Sequence, residues 1–275
     1  MKKINTTQRS SGVQIAILLL LLFSCASEEQ EEWESRPLEI TAEIAAPVTR
    51  GDTHDSDYDK RTFVTNDLIN IYPGTSASGT ATVYKYSNSK WLPSSGGNGI
   101  TMTTDGGTYA ASFPTTFNGI KQDQTTKTAF WESNQLFSSK AAVGNRVNFV
   151  FAPAAAKITI NVEYAGSTTG NGIKLTGDSL RTASGTNEII QLLPVTASGT
   201  NHTYIGIIRA HSSAAYTITV SVSGTADKSY TQMSIPLEAA HNYIYNFTST
   251  NKLILNSVNV TSFGDAVPEG DLNAT

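Results

Sequence analysis

From Leu38 onward apolar side chains recur at every second position: Leu38, Ile40, Ala42, Ile44, Ala46 and Val48 share one parity, while Glu39 and Glu43 take the other. Successive side chains of an extended strand point to opposite faces, so a period of two reads as a strand with one buried face. The same alternation returns in Tyr109/Ala111/Phe113, Val147/Phe149/Phe151, Ile158/Ile160/Val162/Tyr164, Tyr216/Ile218/Val220/Val222 and Tyr243/Tyr245/Phe247, with Gly, Ser, Thr, Asn and Pro filling the intervals. Asn134 to Val143 is the one segment with room for a helix, and it is short and weakly patterned. Short strands at intervals of roughly ten residues, separated by turn residues, predict an all-β chain of β-sandwich type. Twelve or more strands exceed what one sandwich usually holds, which favours two in tandem. Pro153 cannot donate to a central ladder, so the join is expected within Phe151–Lys157; the alternative is a single kinked strand.

Ahead of these strands stands a different kind of sequence. Nine consecutive apolar residues, Ile15 to Phe23, follow Lys2, Lys3 and Arg9 and lead into Ser24 and Cys25. Such a run is too short for a bilayer core that needs about 20 residues. A basic start, a short apolar run and a small residue before the cut are the parts of a secretory signal peptide. Leu22-Phe23-Ser24-Cys25 resembles the bacterial lipobox, in which the cysteine thiol receives a lipid and the peptide is removed before it; Phe23 is bulkier than the usual residue there. The alternatives are an ordinary signal peptide with a chance cysteine, or an uncleaved anchor helix. Cys25 is the only cysteine, so a lipidated chain holds no thiol for disulfides and must survive an oxidising location by core burial. The remaining length is enough for one large or two ordinary domains.

Loss of residues 1–24 leaves 16 basic against 23 acidic side chains, a net charge of −7. That balance argues against nucleic acid, whose binding depends on clustered Lys and Arg. Seven of the acids, Glu28, Glu29, Glu31, Glu32, Glu34, Glu39 and Glu43, precede Arg50, and the first five make a solvated tether over residues 25–37. An acidic run after a lipidated cysteine resembles the export signal to the outer leaflet in some didermic bacteria; a plain hydrophilic spacer is the alternative.

No catalytic or metal signature is present. His54, His202, His211 and His241 never fall at ligand spacing, and no nucleophile elbow, zincin helix or phosphate-cradling loop occurs. Asp55-Ser56-Asp57-Tyr58-Asp59 imitates the start of a calcium loop, but Lys60 stands where a glycine is needed and Asn66 where a glutamate is. The expectation is a chain with no active site, cofactor or metal. Arg50-Gly51-Asp52 spells an integrin-binding tripeptide, which any arginine before a Gly-Asp turn produces by chance, and Asp178-Ser179-Leu180 is similar to a short O-glycan acceptor motif.

Several stretches resemble the fimbrillin family of surface lipoproteins, the subunits of type V pili. They are Phe63 to Tyr72, Tyr84-Lys85-Tyr86 with Trp91, Tyr109 to Pro114, Phe149 to Ile160, His241 to Phe247 and Leu253 to Phe263. The motifs are degenerate, and their order together with the lipobox carries the resemblance across nearly the whole mature chain. Pro153 stands where relatives often carry His, and Phe263 where many carry Trp. The resemblance implies two tandem transthyretin-like β-sandwich domains after the signal peptide, over residues 38–154 and 155–275. It implies a fimbrial subunit that polymerises with other subunits by strand exchange, without turnover, and meets a host or bacterial surface receptor. Its location would be the outer membrane through a lipid on Cys25, then the fimbrium.

The family pattern places a trypsin-like cut after an arginine that follows the first strand, and Arg50 fits, with a polar, Gly- and Asp-rich run to Arg61 behind it. Loss of Leu38, Ile40, Ala42, Ile44, Ala46 and Val48 would open a groove and an unpaired edge for another chain's strand. Their burial would stabilise such an insertion by at most on the order of 5–10 kcal/mol before ordering costs. The cut would also discard the lipid and the seven acids, leaving 14 basic against 16 acidic side chains. As donor strand the best candidate carries Leu253, Leu255, Val258 and Val260, with a parity slip at Asn256-Ser257 that predicts a bulge. Gly264 to Thr275 does not read as a strand, which keeps tip and accessory roles open beside the stalk. A second reading starts from Trp91 and Trp131, which could stack on sugar rings and make the chain a glycan-binding lipoprotein of a polysaccharide-uptake system.

Overall fold

The computed structural model describes residues 35–45, 62–102, 106–166 and 172–263. Cys25, Ala46, Val48, Arg50, the calcium-like run from Asp55 and the stretch after Phe263 lie outside the described residues.

The fold is all-β apart from one short helix among the described residues. In chain order the first strands are β1 (Arg36–Pro37), β2 (Glu39–Ile44), β3 (Leu68–Pro73), β4 (Thr82–Ser87), β5 (Lys90–Pro93), β6 (Thr101–Met102), β7 (Thr108–Phe113), β8 (Leu136–Ala141) and β9 (Arg146–Pro153). Seven of them form one sheet in the order β2-β9-β8-β7-β3-β4-β5, and β1 pairs with β6 beside it. This sheet curls until its end strands β2 and β5 touch. Its enclosed face holds Ile69, Ile71, Tyr84, Val147, Phe149 and Phe151. The alternation in β9 explains its orientation: Val147, Phe149 and Phe151 are buried while Arg146 and Asn148 are exposed. Phe63 closes the cluster from the approach to β3, its ring set edge-on to those of Trp91, Phe113 and Phe151 at 5.1, 5.6 and 5.4 Å. At the turn before β6, Gly99 has φ +65°, and a Cβ there would strike the Tyr84 hydroxyl, which accepts from the Ile100 N–H at 2.8 Å.

The second half continues with β10 (Ala156–Tyr164), β11 (Gly172–Gly177), β12 (Glu188–Gln191), β13 (Leu193–Ser198), β14 (Asn201–Ile208), β15 (His211–Ser221), β16 (Lys228–Leu237), β17 (His241–Ser249) and β18 (Leu253–Ser262). A five-stranded sheet, β13-β14-β10-β17-β18, and a four-stranded sheet, β12-β11-β15-β16, enclose a second apolar cluster. β9 ends at Pro153 and β10 begins at Ala156 in a different sheet. β10 is the central strand, antiparallel to β14 and parallel to β17, which is why it is buried along almost its whole length. On the outer face of that sheet, residues in register are joined by side chains. The Thr203 hydroxyl donates to Asn161 Oδ1, Asn161 Nδ2 donates to Asn246 Oδ1, and Asn246 Nδ2 donates to the Ser257 hydroxyl, each at 2.8 Å. Four strands are thus tied by a polar ladder that an alternating pattern alone does not disclose.

The helix is not where the spacing put it. Asn134 to Val143 holds β8, and the helix, α1, spans Lys127–Ser133. Thr126 caps it by accepting the Ala129 N–H at 3.2 Å, and Phe130 and Ser133 are buried. Two turns give too few repeats for a period of 3.6 to register, so the capping threonine was the readable signal. Phe130 packs into the second apolar cluster although it precedes β8 in sequence. The crossover from β7 to β8 therefore reaches across to the C-terminal sheets.

Candidate functional site

At the end of the seven-stranded sheet, β2 lies parallel to β9 in six-residue register, from Glu39 opposite Arg146 to Ile44 opposite Phe151. Leu38 and Ile40 are buried in the first cluster, and Ala42 and Ile44 are partly buried against it. Glu39, Thr41 and Glu43 face solvent. Polar contacts fix the ends: Leu38 N–H donates to the Ile100 carbonyl and Ala45 N–H to the Phe151 carbonyl, both at 2.8 Å, and Arg146 Nε meets Glu39 Oε2 at 2.8 Å.

On its other side β9 neighbours β8, but the ladder between them is short. β8 pairs with β9 only through Leu136 opposite Pro153 and Phe137 opposite Ala152. Among the described residues, Val147 to Phe151 therefore have β2 as their sole ladder partner. Without β2, five consecutive residues of β9 would lose their ladder partner, and Val147, Phe149 and Phe151, at most 2% exposed, would lose the cover that β2 gives on that side. An edge with free N–H and C=O groups above an apolar groove is the geometry that accepts an added strand.

The other named strand, β18, forms the opposite kind of edge. It ends the five-stranded sheet and pairs antiparallel with β17. Asn246 is opposite Ser257 while Phe247 is opposite Leu255, so Asn256 is the extra residue of a bulge. The bulge restores parity: Leu255, Val258 and Val260 stand opposite Phe247, Tyr245 and Tyr243, all members of the second cluster. Leu253 is buried, but Val258 and Val260 are 39% and 53% exposed. Phe263 closes the strand's end, 4% exposed, with the Lys157 ammonium 5.1 Å from its ring centroid.

The two tryptophans part company. Trp91 is buried beside Phe63 and Tyr86, whose rings lie 5.1 Å away, so it cannot offer a face to a sugar. Trp131, on α1, is 46% exposed. Pattern reasoning missed the strap that precedes it. Gln124 is fully buried, its Nε2 donates to the Ile207 carbonyl at 2.9 Å, and its Oε1 accepts from the Ile207 N–H at 2.7 Å. The side-chain amide thereby satisfies both backbone groups of one residue of β14 as a neighbouring strand would, and a lone glutamine in a loop carries no pattern to announce it.

No protein-family model and no curated protein matches the sequence. Similar solved structures do exist. One is a "putative cell adhesion protein" of Bacteroides ovatus, with a TM-score of 0.58 at 15% identity, covering 83% of this chain and 98% of that one. A second protein of the same description, from Bacteroides uniformis, gives a TM-score of 0.54 at 18% identity, with 83% and 99% covered. At such identities the shared property is the fold.

Proposed function

We propose that this chain is a structural subunit of a bacterial surface fimbria, built of two tandem transthyretin-like sandwiches and assembled by strand exchange in support of adhesion. The observation that carries the proposal is the dependence of β9 on β2: from Val147 to Phe151 no other strand pairs with it among the described residues. In this reading Cys25 carries the lipid that delivers the chain to the outer membrane, and a cut after Arg50 releases the segment that bears β2. Another subunit's strand, of the kind exemplified by Leu253, Leu255, Val258 and Val260, then fills the groove over Phe149 and Phe151. The role is mechanical and needs neither cofactor nor turnover. Likeness in fold to two proteins each described as a "putative cell adhesion protein" supports it.

Arg50→Ala tests this reading in cells that display the protein. Wild-type cells are expected to give ladders that resist detergent without heating, and the variant to give monomer that stays with the membrane. Ladders that persist unchanged in Arg50→Ala would refute maturation at this position. The glycan-uptake reading is weaker, since Trp91 is part of the core.

A further inference from the structure

Six strands end the three larger sheets, and five of them carry what keeps an edge from pairing with another chain. Charges mark β2 through Glu39 and Glu43, β5 through Lys90 and β12 through Glu188, and prolines interrupt β13 at Pro194 and β16 at Pro236. β18 has neither a charge nor a proline in its ten residues. Among the described residues its sole ladder partner is β17, so its other side presents unpaired backbone N–H and C=O groups.

Only half of that edge is open. Near its start the two C-terminal sheets close on each other: the Lys228 ammonium donates to the Ser249 hydroxyl at 3.1 Å, and the Tyr230 ring stands edge-on to Phe247 at 5.4 Å. Past the bulge at Asn256, residues 257–260 are all exposed. Val258 and Val260 lie on the core face, opposite Tyr245 and Tyr243, yet are left uncovered.

The order of residues in this half selects its occupant. Opposite residues of an antiparallel pair point to the same face. A second copy of β18, related by a two-fold axis through Asn259, therefore sets Val258 against the partner's Val260 and Val260 against the partner's Val258. On the outer face it brings Ser257, where the polar ladder from Thr203 ends, opposite the partner's Thr261. Moving the axis to Val258 or Val260 would leave a valine opposite Asn256 or Ser262. Every other edge that a second copy could offer brings a charge or a proline, whereas two neutral copies of β18 bring no like charges together. We propose that β18 is a contact between copies of this chain, an antiparallel two-fold pairing over residues 257–261 that joins two five-stranded sheets into one of ten. Five residues a side make a small, reversible interface, suited to neighbours displayed on one surface. The contact needs neither a cut at Arg50 nor departure of β2.

Cysteine cross-linking on cells that display the full chain tests it, read on heated, non-reducing gels. Asn259→Cys, on the axis, is expected to give a reducible species of twice the chain's mass under mild oxidation. Wild type, whose one cysteine is Cys25, and Met233→Cys, exposed on β16, are expected to remain monomeric. Adding Val258→Lys to Asn259→Cys is expected to abolish the cross-link. Adding Val260→Asp to both is expected to restore it, because the axis brings each introduced ammonium to the other copy's introduced carboxylate. Monomer from Asn259→Cys, equal cross-linking by Met233→Cys, no recovery in the triple variant, or an adduct with a different protein would each overturn the proposal. The Asn259→Cys cross-link is expected unchanged in the Arg50→Ala background, which separates failure of this contact from failure of strand exchange.

Discussion

The hydroxyls of Tyr216 and Tyr245 share a hydrogen bond of 2.7 Å between the two C-terminal sheets, one from β15 and one from β17, with both side chains at most 2% exposed. Each satisfies the other inside an otherwise apolar cluster. Tyr216→Phe removes one partner and strands the other, which is expected to destabilise the fold by about 1–3 kcal/mol. Tyr216→Phe with Tyr245→Phe removes both and is expected to cost less than the sum of the single variants. Urea unfolding of the four proteins checks this.

The same pair sets an alkaline limit. Burial pushes both hydroxyls up, Tyr245 to about 12, above the ordinary value of about 10. Because the folded state holds these protons more tightly than the unfolded chain, their contribution to stability is complete below about pH 10 and is lost as pH rises toward 12. Absorbance at 295 nm is expected to show exposed tyrosines ionising first, with the buried ones following only as unfolding begins. Ionisation of all eleven tyrosines in one transition near pH 10, with native circular dichroism retained, would be inconsistent with this core.

Gln124 makes a separate prediction. Gln124→Ala leaves the N–H and C=O of Ile207 without their side-chain partner in a buried position, at a cost of about 2–4 kcal/mol. Gln124→Glu keeps an acceptor for the N–H but loses the donor to the carbonyl, and is expected to be destabilised as well. Amide exchange in β14 checks both: protection at Ile207 is expected to fall while protection in β9 is unchanged.

What the sequence disclosed follows from periodicity. Val147, Phe149 and Phe151 alternate without interruption and lie in the core as their parity requires, and the slip at Asn256-Ser257 appears as a bulge at Asn256. Single residues in irregular backbone gave no comparable signal. Gln124, Phe130 and Trp131 sit in a crossover where no repeat accumulates, and their roles depend on which sheet the crossover meets. Strand partnership was equally hidden: alternation shows that β9 buries one face, but not that β2 is the neighbour of Val147 to Phe151.

Displacement of β2 is the central claim, and a reversible lock on that strand tests it most directly. Thr41 and Asn148 are cross-strand partners on the solvent face, with the Thr41 hydroxyl donating to Asn148 Oδ1 at 3.0 Å. Thr41→Cys with Asn148→Cys places two thiols there in a chain whose only other cysteine is Cys25. With the disulfide formed, cells displaying this variant are expected to yield no detergent-resistant ladder, and reduction before assembly is expected to restore it. A full ladder from the oxidised, cross-linked variant would contradict strand exchange at β9.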